Sequence, residues 1–194
     1  MKSKQNILNK IRLNLSPKAP MPDLAEINPV QYDDRLGKFM EMVETVGGHV
    51  MLLEGDDDIN AVIRRLYPAA SVVASSLPYI DADKNPDLVA GAADLADVDV
   101  GVLNGEIAVA ENGCIWIPQT MKERAIMFIS QTLVIIVDKD KIVNNMHEAY
   151  EMIGDHVYGC FISGPSKTAD IAQALVMGAQ AARDVTVIIT QTGE

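Results

Sequence analysis

The segment Ile162-Ser163-Gly164-Pro165-Ser166-Lys167-Thr168-Ala169-Asp170 concentrates groups that can hold an anion. Ser163, Ser166 and Thr168 supply hydroxyls and Lys167 a positive charge; Gly164 lies in the same turn. The segment reads as the junction between a strand and a helix over Thr168–Ala182. There, free N–H groups and the macrodipole would stabilise a phosphate or carboxylate. Capping is the competing explanation: Ser166 or Thr168 caps the helix and Gly-Pro shapes the turn, which accounts for every residue except Lys167. The segment is not a Walker A loop, because Gly-x-x-x-x-Gly-Lys is absent.

A second candidate is the turn Ala110-Glu111-Asn112-Gly113. It sets the Glu111 carboxylate at the end of an apolar strand, where a nucleophile or base can be tuned by its surroundings. A solvated hairpin turn explains the same residues. Glu106, in the hairpin before it, reads as simply exposed. His49, His147 and His156 lack metal-ligand spacing. Trp116, between Ile115 and Ile117, reads as core or pocket wall. No Gly-x-Ser-x-Gly elbow and no Gly-x-Gly-x-x-Gly fingerprint is present.

These residues need a scaffold, and the apolar pattern supplies one. Helices are expected over residues 3–15, from Tyr32 to Val43 with Gly47-Gly48 as the stop, and over Ile59–Leu66 behind an Asp58 cap. Further helices are expected over Met121–Ile129, Ile142–Ile153 and Thr168–Ala182. Strands are expected at His49–Leu53, Ser71–Ala74, Val98–Leu103, Ile107–Ala110, Cys114–Ile117, Thr132–Val137, Tyr158–Ser163 and Val185–Thr190. Asn104-Gly105 and Asn112-Gly113 read as hairpin turns. Alternating strands and helices predict a three-layer α/β/α sandwich with a mixed, largely parallel sheet and an antiparallel excursion in the middle. Four prolines between Pro17 and Pro29 set off residues 1–30 as an arm and linker before an α/β domain over 31–194.

The 194 residues suffice for one core without disulfide or metal. With 27 acidic and 16 basic residues the formal charge is −11, and the longest basic run is Arg64-Arg65. Nucleic acid and anionic membrane are therefore poor partners. Cys114 and Cys160 sit in apolar runs and read as reduced, buried thiols. Two cysteines cannot hold an iron–sulfur cluster alone. With no apolar run long enough to span a bilayer, a cytoplasmic location is expected.

The two segments also occur in an order that resembles a known family. Asp99-Val100-Gly101-Val102 through Ala108-Val109-Ala110-Glu111-Asn112-Gly113 is similar to the "GIT…AIAETG" region of the LUD-domain family, the lactate-utilization protein C group. Ile162–Ile171 resembles its "ISGPSRTADIE" segment, and Ile135-Ile136-Val137-Asp138 with Ile142-Val143 its "VVVD…IV" pattern. The resemblance covers about Val98 to Ile189. It implies the fold of sugar-phosphate isomerases (NagB/RpiA) and CoA transferases. It also implies a part in oxidising L-lactate beside iron–sulfur partner proteins encoded separately, with no cofactor in this chain and a small anionic metabolite as ligand. A homo-oligomer is compatible with the arm. Asn112 departs from the family's Thr, Glu123-Arg124 from Gly-Arg and Ser130 from Pro. Glu-Asn-Gly is also similar to the catalytic turn of CoA transferases, which keeps three readings in view. They are a lactate-system component with Ser163, Gly164, Ser166, Lys167 and Thr168 on an anion and Glu111 at the same pocket; a stand-alone CoA-transferase-like or cyclo-ligase-like enzyme with Glu111 as nucleophile; and a non-catalytic scaffold.

Overall fold

Continuous β-branched runs decide the frame, because a strand that is apolar at every position can only sit with both faces covered. In the computed structural model, which describes residues 2–15, 27–53, 57–154, 158–168 and 176–191, the strands are β1 (His49–Leu52), β2 (Val73–Ala74), β3 (Val100–Asn104), β4 (Ile107–Val109), β5 (Cys114–Pro118), β6 (Thr132–Asp138), β7 (Ile142–Val143), β8 (Gly159–Ile162), β9 (Lys167–Thr168), β10 (Val176–Met177) and β11 (Asp184–Thr190). The helices are α1 (Lys2–Leu13), α2 (Arg35–Thr45), α3 (Ile59–Leu66), α4 (Ile126–Ile129) and α5 (Met146–Met152). Strands β1-β11-β6-β3-β2, in that spatial order, form one parallel sheet.

Alternation along β6 splits the core. Leu133, Ile135 and Val137 face α2 and α4, whose Phe39, Val43, Ile126 and Met127 are buried there. Val134 and Ile136 face Val62 and Ile63 of α3. The result is the expected three-layer α/β sandwich. Asp58 caps α3 as its position predicts, its Oδ1 accepting the Asn60 N–H at 2.9 Å.

The antiparallel strands do not interrupt the parallel sheet. They belong to a second, mixed sheet, β7-β4-β5-β8, on the side of α2, in which β4–β5 and β5–β8 are antiparallel and β7 runs parallel to β4. Asn112-Gly113 joins β4 to β5 as a hairpin. Asn104-Gly105 does not: it carries the chain from one sheet to the other, with the Gly105 N–H bound to Ile136 O at 2.8 Å. Ile142-Val143 pairs with β4 rather than opening a helix, since Asn145 caps α5 at Glu148 N–H. Helix α4 is shorter than expected, covering only Ile126–Ile129. The helix expected over Thr168–Ala182 is replaced, where the chain is described, by the antiparallel pair β9–β10 and a bend. Gly178 at φ +69 keeps any helix from running on to Ala182, since an α-helix cannot pass through that backbone conformation. Residues 169–175 of that expectation, the prolines Pro17, Pro20 and Pro22, and His156 lie outside the described residues.

The start of the body is tied to α5. Gln31 Nε2 donates to Glu148 Oε1 at 2.8 Å, Tyr32 N–H to Asn144 Oδ1 at 2.9 Å, and Asn145 Nδ2 to Val30 O at 2.9 Å. Partial burial pushes the Glu148 carboxyl upward, but bonds from the Asn144 N–H, Gln31 and the Asn144 amide outweigh it and hold the group below its ordinary range. A lowered folded value stabilises above the unfolded value, and the gain is lost as pH falls through it. Glu148→Gln should therefore lower the urea midpoint at pH 7 by the equivalent of under about 1 kcal/mol, because solvent screens so exposed a carboxylate. The difference from wild type should shrink below about pH 4.

Candidate functional site

Two turns distant in sequence meet at the last turn of α2. Gly113 adopts φ +67, and a Cβ there would lie 2.9 Å from both Met42 C and Val43 N. Gly164 adopts φ +62, and its Cβ would lie 2.6 Å from Val46 O. Only glycine satisfies both the backbone angle and the closeness. Between the turns, Ser163 Oγ donates to Asn112 O at 3.1 Å. Lys167 Nζ donates to Val46 O, which places its charge at the negative end of α2.

Beside this junction lies a hollow of about 400 Å³. Ser163, Gly164, Ser166 and Lys167 line it together with apolar Met127, Phe161 and Val185. Lys167 is the one charged residue among the lining residues described. An ammonium carries three donors, and Val46 O takes one. Thr168 is not in the lining; it lies on β9 opposite Val176. The hollow does not sit on a helix N-terminus in the described residues, so the charge of Lys167 and the serine hydroxyls replace the expected macrodipole. Nor does it follow a parallel strand, since β8 runs antiparallel to β5.

Glu111 occupies the acidic turn but turns to α5. Its Oε2 accepts the Met146 N–H at 3.0 Å, and its own N–H binds Asn144 O at 3.0 Å. Burial pushes the Cys114 thiol up to about 12 and raises Cys160 as well. Their sulfurs lie 3.5 Å from Met146 Sδ and 3.7 Å from Met127 Sδ. Trp116 is a wall of the small sheet, its ring 5.0 Å from that of Phe161 and close against Gly159. Among the described residues, no three His, Cys, Asp or Glu side chains gather as a metal site would require, and no helix is long and apolar enough to cross a membrane.

A larger cleft, of about 790 Å³, opens where ligands usually enter an open α/β sheet, at the carboxyl ends of the parallel strands. Leu53, Asn104, Asp138 and Thr190 stand at or just past the ends of β1, β3, β6 and β11, and Asp57, Tyr79, Glu106, Lys141 and Gln191 add to the polar lining. Sequence reasoning missed this site because Asn104-Gly105 looks like a hairpin, which would leave Glu106 on an outer turn. A usable signal was present: Asp138 and Thr190 each end a continuous β-branched run. Glu106 and Glu111 flank β4 at opposite ends, about 17 Å apart along an extended chain, so cleft and junction are separate places.

The family model described as LUD domain matches residues 36–190. A protein of Geobacillus kaustophilus named lactate utilization protein C is 29% identical over 157 residues, which cover 73% of this chain and 62% of that protein. A protein of Oceanobacillus iheyensis with the same name is 31% identical over 100 residues, 47% of this chain and 43% of that one. The chain thus spans about half the length of the curated relatives it matches. The crystal structure of a DUF162 family protein from Deinococcus radiodurans superposes with a TM-score of 0.61 at 17% identity, covering 84% of this chain and 99% of that one. That likeness is one of fold.

Proposed function

Because the chain belongs to the LUD-domain family, we propose that it is a component of a lactate-oxidising system that binds a small carboxylate. Separately encoded iron–sulfur proteins would carry the electrons. The names of the relatives support the lactate setting. The observation that carries the carboxylate reading is the convergence of the Lys167 ammonium and the Ser163 and Ser166 hydroxyls on the lining of one hollow of about 400 Å³.

In this reading Lys167 neutralises the carboxylate and the Ser166 hydroxyl donates to it. Ser163 holds the acidic turn in place, and Gly164 keeps the backbone near the ligand. Thr168 fixes the end of the loop through β9. Lactate becomes pyruvate by losing two electrons and two protons. The two electrons and the C2 proton pass to the redox centre of the partner proteins, and the hydroxyl proton goes to Glu111 once its carboxylate, which faces α5 outside the lining of the hollow, exchanges its bond to Met146 N–H for the substrate hydroxyl. Carboxylate recognition by an ammonium is worth enough to decide binding, about 1.5–3 kcal/mol per charged hydrogen bond.

Deleting the gene should abolish growth on L-lactate as carbon source. The wild-type gene should restore it and a Lys167→Ala gene should not. Normal growth of the deletion strain, with no second copy present, would remove the lactate role.

A further inference from the structure

Helix α1 carries four of the chain's 16 basic residues, Lys2, Lys4, Lys10 and Arg12, and none of its 27 acidic ones. The rest of the chain therefore holds a formal charge of −15, against −11 for the whole. The same helix is amphipathic: Ile7, Leu8 and Ile11 share a stripe that Leu15 extends beyond it. Ile7 is 57% exposed, Ile11 53% and Leu15 65%. A twelve-residue helix is marginal in water on its own and gains its stability by burying such a stripe. Among the described residues Ile7, Ile11 and Leu15 stay more than half exposed, while Leu8 is half-buried.

The cover it needs is acidic with an apolar floor, and the carboxyl-end cleft combines the two. Asp57, Glu106 and Asp138, each already engaged in an interaction of its own, supply three carboxylates there against the one cation of the described lining, Lys141, and Ile59, Ile107 and Tyr79 supply apolar surface. The 15 residues from Ser16 to Val30 can span up to about 50 Å, enough to carry the helix to a neighbour. An anionic bilayer suits the helix alone but repels a body of this charge.

We propose that α1 docks in trans, laying its apolar stripe and basic residues over the carboxyl-end cleft of a second copy. Two copies exchanging arms make a closed symmetric dimer. Each arm then screens the other copy's cleft from solvent, so arm release governs access to it.

The test uses the full chain, mixing unlabelled and ¹⁵N-labelled copies. Light scattering should report a dimer at low ionic strength that weakens at least tenfold at about 1 M salt, where charges are screened beyond about 3 Å. Zero-length carbodiimide coupling should join Lys4 or Lys10 of one copy to Asp57, Glu106 or Asp138 of the other, identified by mixed isotope masses. The triple change Lys4→Glu, Lys10→Glu, Arg12→Glu and the separate change Glu106→Lys should each weaken the dimer at least tenfold. The arm variant should keep the thermal unfolding of the body. A chain that stays monomeric overturns the proposal. So does a dimer indifferent to the arm changes, one lost with the arm but indifferent to Glu106→Lys with couplings outside the cleft, or couplings confined to single copies.

Discussion

Replacing Gly113 by valine is expected to cost roughly 3–5 kcal/mol of folding stability. Two penalties combine. A non-glycine residue held at φ +67 costs about 1–3 kcal/mol, more when β-branched. The side chain would also enter the backbone of α2 at Met42 and Val43, where forced overpacking costs about 1–3 kcal/mol. For a domain of this size the loss should lower Tm by about 10–15 °C. The control is Gly91→Ala, where the backbone is extended and nothing lies within 4 Å of an added Cβ. That change should alter stability by no more than about 0.5 kcal/mol. Differential scanning calorimetry of the two variants checks both statements. Equal Tm values would mean that the acidic turn does not press on α2.

Lys167→Ala is expected to weaken binding of lactate or pyruvate by at least about tenfold, the scale of one charge-assisted hydrogen bond. The same change frees Val46 O at the end of α2. A drop in stability of about 1 kcal/mol should accompany it. Lys167→Arg separates the two effects. Arginine keeps the charge, so affinity should fall less than for alanine even if the fit against Val46 is imperfect. Isothermal titration with pyruvate on all three proteins reads the difference. Affinity equal in wild type and Lys167→Ala would show that the lysine serves only the helix end.

What the sequence makes legible depends on the range of the interaction. Thr132–Val137 and Val185–Thr190 reveal themselves by continuous β-branched composition, and both are central strands of the parallel sheet. Asp58 before Ile59 and Gly47 after α2 mark helix ends through bonds and angles local to the chain. Asn112-Gly113 and Asn104-Gly105 look alike locally, yet only the first is a hairpin. The second is decided by Ile115 and Ile135, which leave no room for a Cβ at Gly105 where the chain passes between the sheets. Likewise β7, β9 and β10 are two residues each, and such strands exist only because a partner strand lies beside them. The candidate site follows the same rule. The hydroxyls and Lys167 are visible as residue types, and their approach to the Asn112 turn is consistent with motifs noted in sequence. The carboxyl-end cleft needed the strand order, which no local pattern contains.

The most direct measurement is an NMR titration of the ¹⁵N-labelled chain with pyruvate, following backbone amides. The account predicts saturable shifts at Asn112 and over Ser163–Thr168, with the amides of Asn104, Glu106 and Asp138 unmoved. Saturable shifts at the carboxyl-end cleft with Ser163–Thr168 silent, or no saturable shift anywhere, would contradict the claim that the joined turns form the carboxylate site.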